Sequence, residues 1–331
     1  MTERPRRRVL LLHLGGTLGM EGTPLVPAAY SQRLGERVPE LGQIAELETR
    51  ILYNLDSSDV GPVECATLAR AIDAGRAGAD GFVVVHGTDT MAFTAAALAF
   101  ALPGLDRPVV LTGAQRPLVA LRSDARRNLA DAVELATHDI PEVGICFDGL
   151  LLRGTRAVKA DARTYHAFES PGVEPLARLG LDVDVGAHVR RPAVPFRCDP
   201  RFDDRVAVVY VTPGLDPAWI EGLLAAPAPP RGIVLAALGV GTVPSGTRPL
   251  APVVRAAVDT GVDVVVVTQR GGTVELALYE NSRVLADAGA ISGGAMRIEA
   301  AVPKLMHALA AFDDRAERRR WLETDAAGER S

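Results

Sequence analysis

Short runs rich in leucine or β-branched residues alternate along this chain with longer, Ala-rich amphipathic stretches. Val9–Leu14, Thr49–Leu55, Gly81–His86, Val109–Thr112 and Val143–Phe147 read as strands. So, after a gap, do Val206–Thr212, Gly232–Leu238 and Asp263–Thr268. The periodic stretches Pro62–Arg76, Asp89–Leu102, Ser123–Thr137, Asp216–Ala225, Leu250–Thr260, Ile298–Ala311 and Asp313–Leu322 read as helices. Phe82–Val85 and Val264–Val267 are apolar at every position instead of alternate ones. That is the pattern of strands covered by helices on both faces, which belongs to parallel sheets. The predicted fold is therefore α/β: a larger N-terminal domain built on a doubly wound, mostly parallel sheet, and a smaller C-terminal α/β domain. Prolines 192, 195 and 200 and a cluster of charges replace periodic structure over Arg190–Asp204. This places the domains at 1–190 and 205–331 with a linker over 191–204. Thr324–Ser331 reads as a frayed end.

The chain has 331 residues, 48% of them apolar and 23% charged, with a formal net charge of −5. No apolar run approaches the roughly 18 residues of a membrane span. The basic start, Arg4 and Arg6 to Arg8, precedes an apolar stretch interrupted by His13 and Gly15-Gly16, too short for the core of a secretory signal. Cys65, Cys146 and Cys198 are widely spaced and contain no CxxC pair, which argues against a disulfide framework or a zinc site and suits a reducing, cytoplasmic setting. Nucleic-acid binding needs a concentrated basic face. Here the basic clusters are only Arg4–Arg8 and Arg315–Arg320, read as a solvated arm and a solvated helix face. Of 36 basic residues, only Lys159 and Lys304 are lysines. Lysine, unlike arginine, can give up its proton when desolvated. Lys159 follows a strand in a polar stretch, whereas Lys304 lies within a predicted helix and reads as solvated.

Ligands of open parallel sheets bind beyond the carboxyl ends of the strands. Four polar segments occupy such positions. Gly15-Gly16-Thr17-Leu18-Gly19 fits neither a dinucleotide fingerprint nor a P-loop, and is a plain turn or a site with a free Thr17 hydroxyl. In His86-Gly87-Thr88-Asp89-Thr90, Thr88 or Asp89 serves as a helix N-cap, or the surplus of oxygen-bearing side chains receives an α-amino group. His86 is a packed core residue or a base. Asp56-Ser57-Ser58-Asp59 caps the helix from Pro62 or holds a carboxylate. Lys159, in Thr155–Asp161, is the fourth.

Taken together these segments resemble the bacterial-type L-asparaginase family, nearest its cytoplasmic type I branch. The most specific match is Gly81–Met91, supported by Gly15–Met20, Asp56–Asp59, Thr112–Leu118, Leu121–Asp124, Arg153–Asp161, Ala167–Pro171, Gly239–Gly241 and Ile298–Ala300. The resemblance implies hydrolysis of L-asparagine to aspartate and ammonia by a homodimer or homotetramer, with no metal, no cofactor, no nucleic acid and no membrane involved. It implies Thr17 as nucleophile, with Thr88, Asp89 and Lys159 as its catalytic polar group. Ser57, Ser58, Thr88, Asp89 and Ala114 are the implied substrate-binding positions. Backbone N–H groups beside Thr17 and Thr88 would hold the oxyanion. The chain departs from the family pattern at Leu14, usually threonine, and at Ala295 and Arg297, which replace the Asp and Thr of an Asp-Met-Thr element. The loop Met20–Leu25 lacks the family's tyrosine, Tyr30 being the nearest. These departures leave room for a glutaminase or other small-amide hydrolase, or for a catalytically weak amino-acid-binding relative. An amidotransferase acting on charged tRNA and a nucleotide-binding Rossmann protein fit less well.

Overall fold

The computed structural model describes residues 6–22, 26–27 and 37–330. Arg4, Thr23–Leu25, Tyr30 and Ser331 lie outside the described residues. The chain divides into two compact units, one ending at Pro200 and the other beginning at Arg201.

The first unit contains, in order, β1 (Arg8–Gly15), the short pair β2 (Met20–Glu21) and β3 (Val26–Pro27), β4 (Glu46–Leu55), α1 (Pro62–Gly75), β5 (Gly81–Val85) and α2 (Met91–Ala101). Then come β6 (Val109–Thr112), α3 (Ala125–Leu135), β7 (Val143–Phe147), β8 (Leu150–Arg153), β9 (Val158–Lys159), β10 (Phe168–Glu169), β11 (Ala177–Leu179) and β12 (Val183–Val185). Its main sheet runs β12-β11-β8-β7-β6-β5-β1-β4. The five strands from β4 to β7 are parallel. In chain order they read 2-1-3-4-5, a doubly wound arrangement whose switch point lies between β1 and β5. Beyond β7 the sheet continues antiparallel through β8, β11 and β12. The β7–β8 hairpin turns on Asp148-Gly149, both at positive φ, as a two-residue hairpin requires.

Core packing fixes which helix lies on which face. Helices α1 and α2 pack together, and Gly75 of α1 backs directly onto Leu10 and Phe82. On the opposite face α3 shares a core with Leu41, Leu11, Val83, Val85 and Val110. The crossovers β4-α1-β5 and β5-α2-β6 thus use one face, while β6-α3-β7, advancing in the same direction, uses the other. Its hand is opposite to theirs, an exception to the right-handed rule. The segment from Gly113 to Asp124 carries the chain across, directly behind a strand tip.

The second unit holds β13 (Val206–Tyr210), α4 (Pro217–Leu224), β14 (Gly232–Ala237), α5 (Ala251–Asp259), β15 (Asp263–Thr268), α6 (Glu280–Asp287), β16 (Ile291–Ser292), α7 (Ile298–Ala311) and α8 (Arg315–Glu323). Its four strands are parallel and ordered as in sequence. One sheet face packs Ile233, Leu235, Val264 and Val266 against Val253 and Leu285. Leu305 and Leu309 of α7 press on Gly232.

Three readings of this unit are corrected. Lys304 is fully buried, not solvated: its ammonium donates to Glu329 (2.5 Å), Thr324 O (2.5 Å) and Leu322 O (3.1 Å). Thr324–Arg330 is not frayed, because Glu329 is also fully buried and accepts from the N–H groups of Ala326 and Ala327. The α8 arginines are not simply a solvated face, because Arg315 and Arg318 both bind the buried carboxylate of Asp263. A helix-period pattern shows which side is apolar, but not whether a distant carboxylate or a returning tail covers the polar side. Among the described residues no helix is long and apolar enough to cross a membrane.

Candidate active site

Three strand ends are pressed together at the switch point, and glycine makes this possible. Gly15 and Gly16 have φ of +122° and +89°, a region that other L-residues rarely adopt. A Cβ on Gly15 would lie 2.2 Å from Leu55 O at the end of β4, and one on Gly16 would lie 2.4 Å from the Gly87 Cα beyond β5. Gly87 in turn backs onto Ser57, whose Cβ would be 2.6 Å from a Cβ added there. The chain leaves β1 through this contact into a single 3-10 turn over Thr17–Gly19, with Thr17 half-buried at its start. Thr17 is thereby set beside the Gly87–Thr88 segment.

Beyond β5 the structure decides against capping. Helix α2 begins at Met91 with Thr90 as its N-cap, and no side chain caps it. Thr88 and Asp89 turn instead to Lys159, whose Nζ donates to Thr88 Oγ1 at 2.8 Å and to Asp89 Oδ1 at 2.6 Å. Thr88 is 6% exposed, whereas the Asp89 side chain is 67% exposed, so the carboxylate opens to solvent while the hydroxyl is sheltered. Lys159 comes from β9, which pairs with Phe168 in a small antiparallel ribbon.

Beyond β4, Asp56 accepts from the Ser58 N–H (2.9 Å) and hydroxyl (2.7 Å), capping the 3-10 turn Ser57–Asp59 and not the helix from Pro62. That helix is capped at Gly61, whose N–H donates to Glu64. The two hydrogen bonds hold the Asp56 carboxyl below its usual range. Buried Ser57 receives the Asp89 N–H on its Oγ (3.3 Å), and its carbonyl accepts from the Thr90 hydroxyl (2.6 Å). Ala114 lies just beyond β6 and is buried. Hydrogen bonds therefore unite Ser57, Thr88, Asp89 and Lys159 in one cluster, with Thr17 beside it through the Gly16–Gly87 contact. The Ser58 hydroxyl is directed to Asp56.

His86 is a core residue. Its Nδ1 lies 2.7 Å from Gly87 O, which can only accept, so Nδ1 carries the proton and Nε2 accepts from Thr94 (3.0 Å). Burial pushes its pKa down to about 4, partly opposed by the Gly87 bond. His13, buried in β1 beside Gly19, is pushed to about 4 by the same desolvation, and neither ring nitrogen has a partner among the described residues.

The residue that sequence reasoning passed over is Gln115. Its Oε1 lies 3.4 Å from Thr88 Oγ1, and its Nε2 donates to Thr164 O (3.0 Å) in the loop after Lys159. It follows a strand tip like the others, and that position was the available signal.

A doubly wound sheet with threonines at both sides of its switch point and a lysine–aspartate pair over one of them defines a class. The sequence matches the family model "Asparaginase, N-terminal" over residues 8–191 and "Glutaminase/Asparaginase C-terminal domain" over 205–322. The chain belongs to this family of amidohydrolases. Among its relatives, L-asparaginase 1 of Escherichia coli K12 is 33% identical over 98% of both chains. A 60 kDa lysophospholipase of Mus musculus is 36% identical over 92% of this chain, which spans 59% of that protein's length. The solved structure of the thermostable L-asparaginase of Thermococcus kodakarensis superimposes with a TM-score of 0.90 at 34% identity, covering 98% of this chain and 99% of that one.

Proposed function

We propose that this protein hydrolyses L-asparagine to L-aspartate and ammonia through an acyl-enzyme on Thr17, as a cytoplasmic homodimer or homotetramer. The observation that carries this reading is the Lys159 ammonium donating at once to Thr88 and Asp89 beside the strand tip that bears Thr17. The exposed Asp89 carboxylate takes the substrate's α-ammonium. Ser57, on the turn capped by Asp56, takes its α-carboxylate, and the Ser58 hydroxyl joins it by turning away from Asp56. Ala114 lies at the backbone position beside the reacting amide.

Thr17 Oγ attacks the side-chain amide carbon, and backbone N–H groups beside Thr17 and Thr88 hold the oxyanion, an effect commonly worth several kcal/mol. The hydroxyl proton goes to the amide nitrogen, the C–N bond breaks, and ammonia leaves an aspartyl ester on Thr17. Water then attacks the ester, and its proton returns to Thr17 Oγ as aspartate is released. Thr88 relays protons at the attacked centre. Lys159 serves as its base once the ammonium has given up a proton, and Asp89 steadies the charged form.

The test is ammonia release without added metal from asparagine, glutamine and a β-aspartyl peptide. Asparagine is expected to be turned over fastest. Discrimination of one methylene is worth about 1–3 kcal/mol, so a reversed order would reassign the substrate and keep the chemistry. Thr17→Ala is expected to lose about 10³-fold of the activity with an unchanged circular dichroism spectrum. Unchanged turnover in that variant sinks the mechanism.

A further inference from the structure

We propose that Gln115 is a positioning residue, aiming the Thr88 hydroxyl and bracing the loop that follows Lys159; the proposal rests on the acyl-transfer reading above. In the resting state Lys159 donates into a lone pair of Thr88 Oγ1, so the Thr88 proton points elsewhere until the ammonium has lost its own proton. Gln115 Oε1, 3.4 Å away, is the acceptor available to it among the described residues. The direction of the carboxamide follows from its other end. Thr164 O, 3.0 Å from the amide nitrogen, and Asp161 O, at 3.5 Å, can only accept, so the NH₂ group faces them and the oxygen faces Thr88. An amide oxygen is not a base at working pH. Gln115 therefore orients the proton without removing it.

The loop explains why the brace is needed. Asp161 Oδ1 accepts the N–H groups of Arg163 (2.6 Å) and Thr164 (3.0 Å), satisfying the donors of the turn from within. The turn's carbonyls at Asp161 and Thr164 are taken by Gln115. Lys159 lies two residues before this turn, and Ala160 N donates to Ala167 O (2.8 Å) to close its base. The carboxamide thus spans the gap between Thr88 and the loop that follows its lysine partner.

Gln115 is itself held. Its N–H donates to Asp124 Oδ2 at 2.9 Å, and the same carboxylate takes the Arg116 N–H at 3.1 Å. Buried Asn128 donates to Asp124 Oδ2 (3.2 Å) and to Gly113 O (3.0 Å). The segment that carries the exceptional crossover is fixed at both ends, and Gln115 projects from it.

The experiment compares Gln115→Met and Gln115→Glu with wild type in the full-length protein. For Gln115→Met, kcat on asparagine is expected to fall roughly tenfold with KM within twofold and the melting temperature unchanged, because orientation is lost without loss of binding. Backbone amide exchange over residues 161–166 should be faster. For Gln115→Glu, the carboxylate still accepts from the Thr88 hydroxyl but cannot donate to Thr164 O and Asp161 O, so kcat stays within threefold of wild type while amide exchange over 161–166 rises as in the Met variant. A purely structural role would make both variants lose kcat together. A Met variant with kcat within twofold of wild type, or a Glu variant that loses kcat as the Met variant does, overturns the proposal. If wild type releases no ammonia from any small amide, the functional reading fails. Amide exchange then decides the brace alone: faster exchange over 161–166 in Gln115→Met supports it, and unchanged exchange refutes it.

Discussion

The chain contains two lysines, and they form a natural pair for comparison. Each is paired with a carboxylate, Lys159 with Asp89 at 2.6 Å and Lys304 with Glu329 at 2.5 Å. The Lys159 pair lies beyond the strand ends of the first unit, and its carboxylate is two-thirds exposed, so a ligand can reach it. The Lys304 pair is fully sealed, its ammonium saturated by two backbone carbonyls as well as Glu329 and lying 5.1 Å from the Trp321 ring centre. Burial pulls the Lys304 pKa down while Glu329 pulls it back up. The same two functional groups thus do opposite work. In an open pair the charge is available for chemistry; in a closed one, any change of charge strains the fold.

The strongest way to break this contrast is to exchange its consequences. Lys159→Met should lose about 10³-fold in kcat/KM, measured by ammonia release, while the urea midpoint barely moves, since the Asp89 carboxylate is 67% exposed and keeps its water, and a pair with such a member is worth about 1 kcal/mol or less. A loss of stability as large as the loss of activity would erase the distinction. Lys304→Met should do the reverse, leaving the Glu329 carboxylate buried without its ammonium at a cost of about 3–5 kcal/mol, read as lost stability of the second unit. Lys304→Met combined with Glu329→Gln should recover part of that loss. Non-recovery would mean that the tail is held by something other than charge.

The third expectation uses His13 and His86, both pushed down to about 4 from 6.5 by burial. Between those values the unfolded chain binds protons that the folded one refuses. Stability of the first unit therefore falls as pH drops through this window, by up to about 3 kcal/mol per histidine. Urea titrations at pH 7, 5 and 4 check this, and His13→Leu should flatten the slope. The smallest effect is at the Asp56 cap. Asp56→Ala should cost about 1 kcal/mol and raise KM severalfold as the Ser57–Ser58 turn loosens.

Much of the α/β framework was legible because its strands are covered on both faces and read as unbroken apolar runs. Phe82–Val85 and Val264–Val267 needed no context. The antiparallel extension β8, β11 and β12 was not legible, although its Asp148-Gly149 turn is a hairpin signal: its strands are three or four residues long, and so short a run carries no period. Helix α6 was missed because its polar composition hides a narrow buried side at Ser282 and Leu285. In the candidate site, position at strand tips singled out Thr17, Ser57, Thr88, Asp89 and Lys159. The same rule covered Gln115, yet its significance depends on a loop 46 to 49 residues away.

Sequence alone determined the strand and helix alternation, the glycines at β1's end and the polar residues behind each strand, because these follow from local periodicity and backbone freedom. Tertiary structure decided which of those polar residues cap a turn and which meet Lys159. It also decided that Lys304 is sealed by the chain's own tail. Burial and pairing depend on what arrives from elsewhere along the chain, and residues far apart in sequence meet only once the sheet has brought their strand ends together.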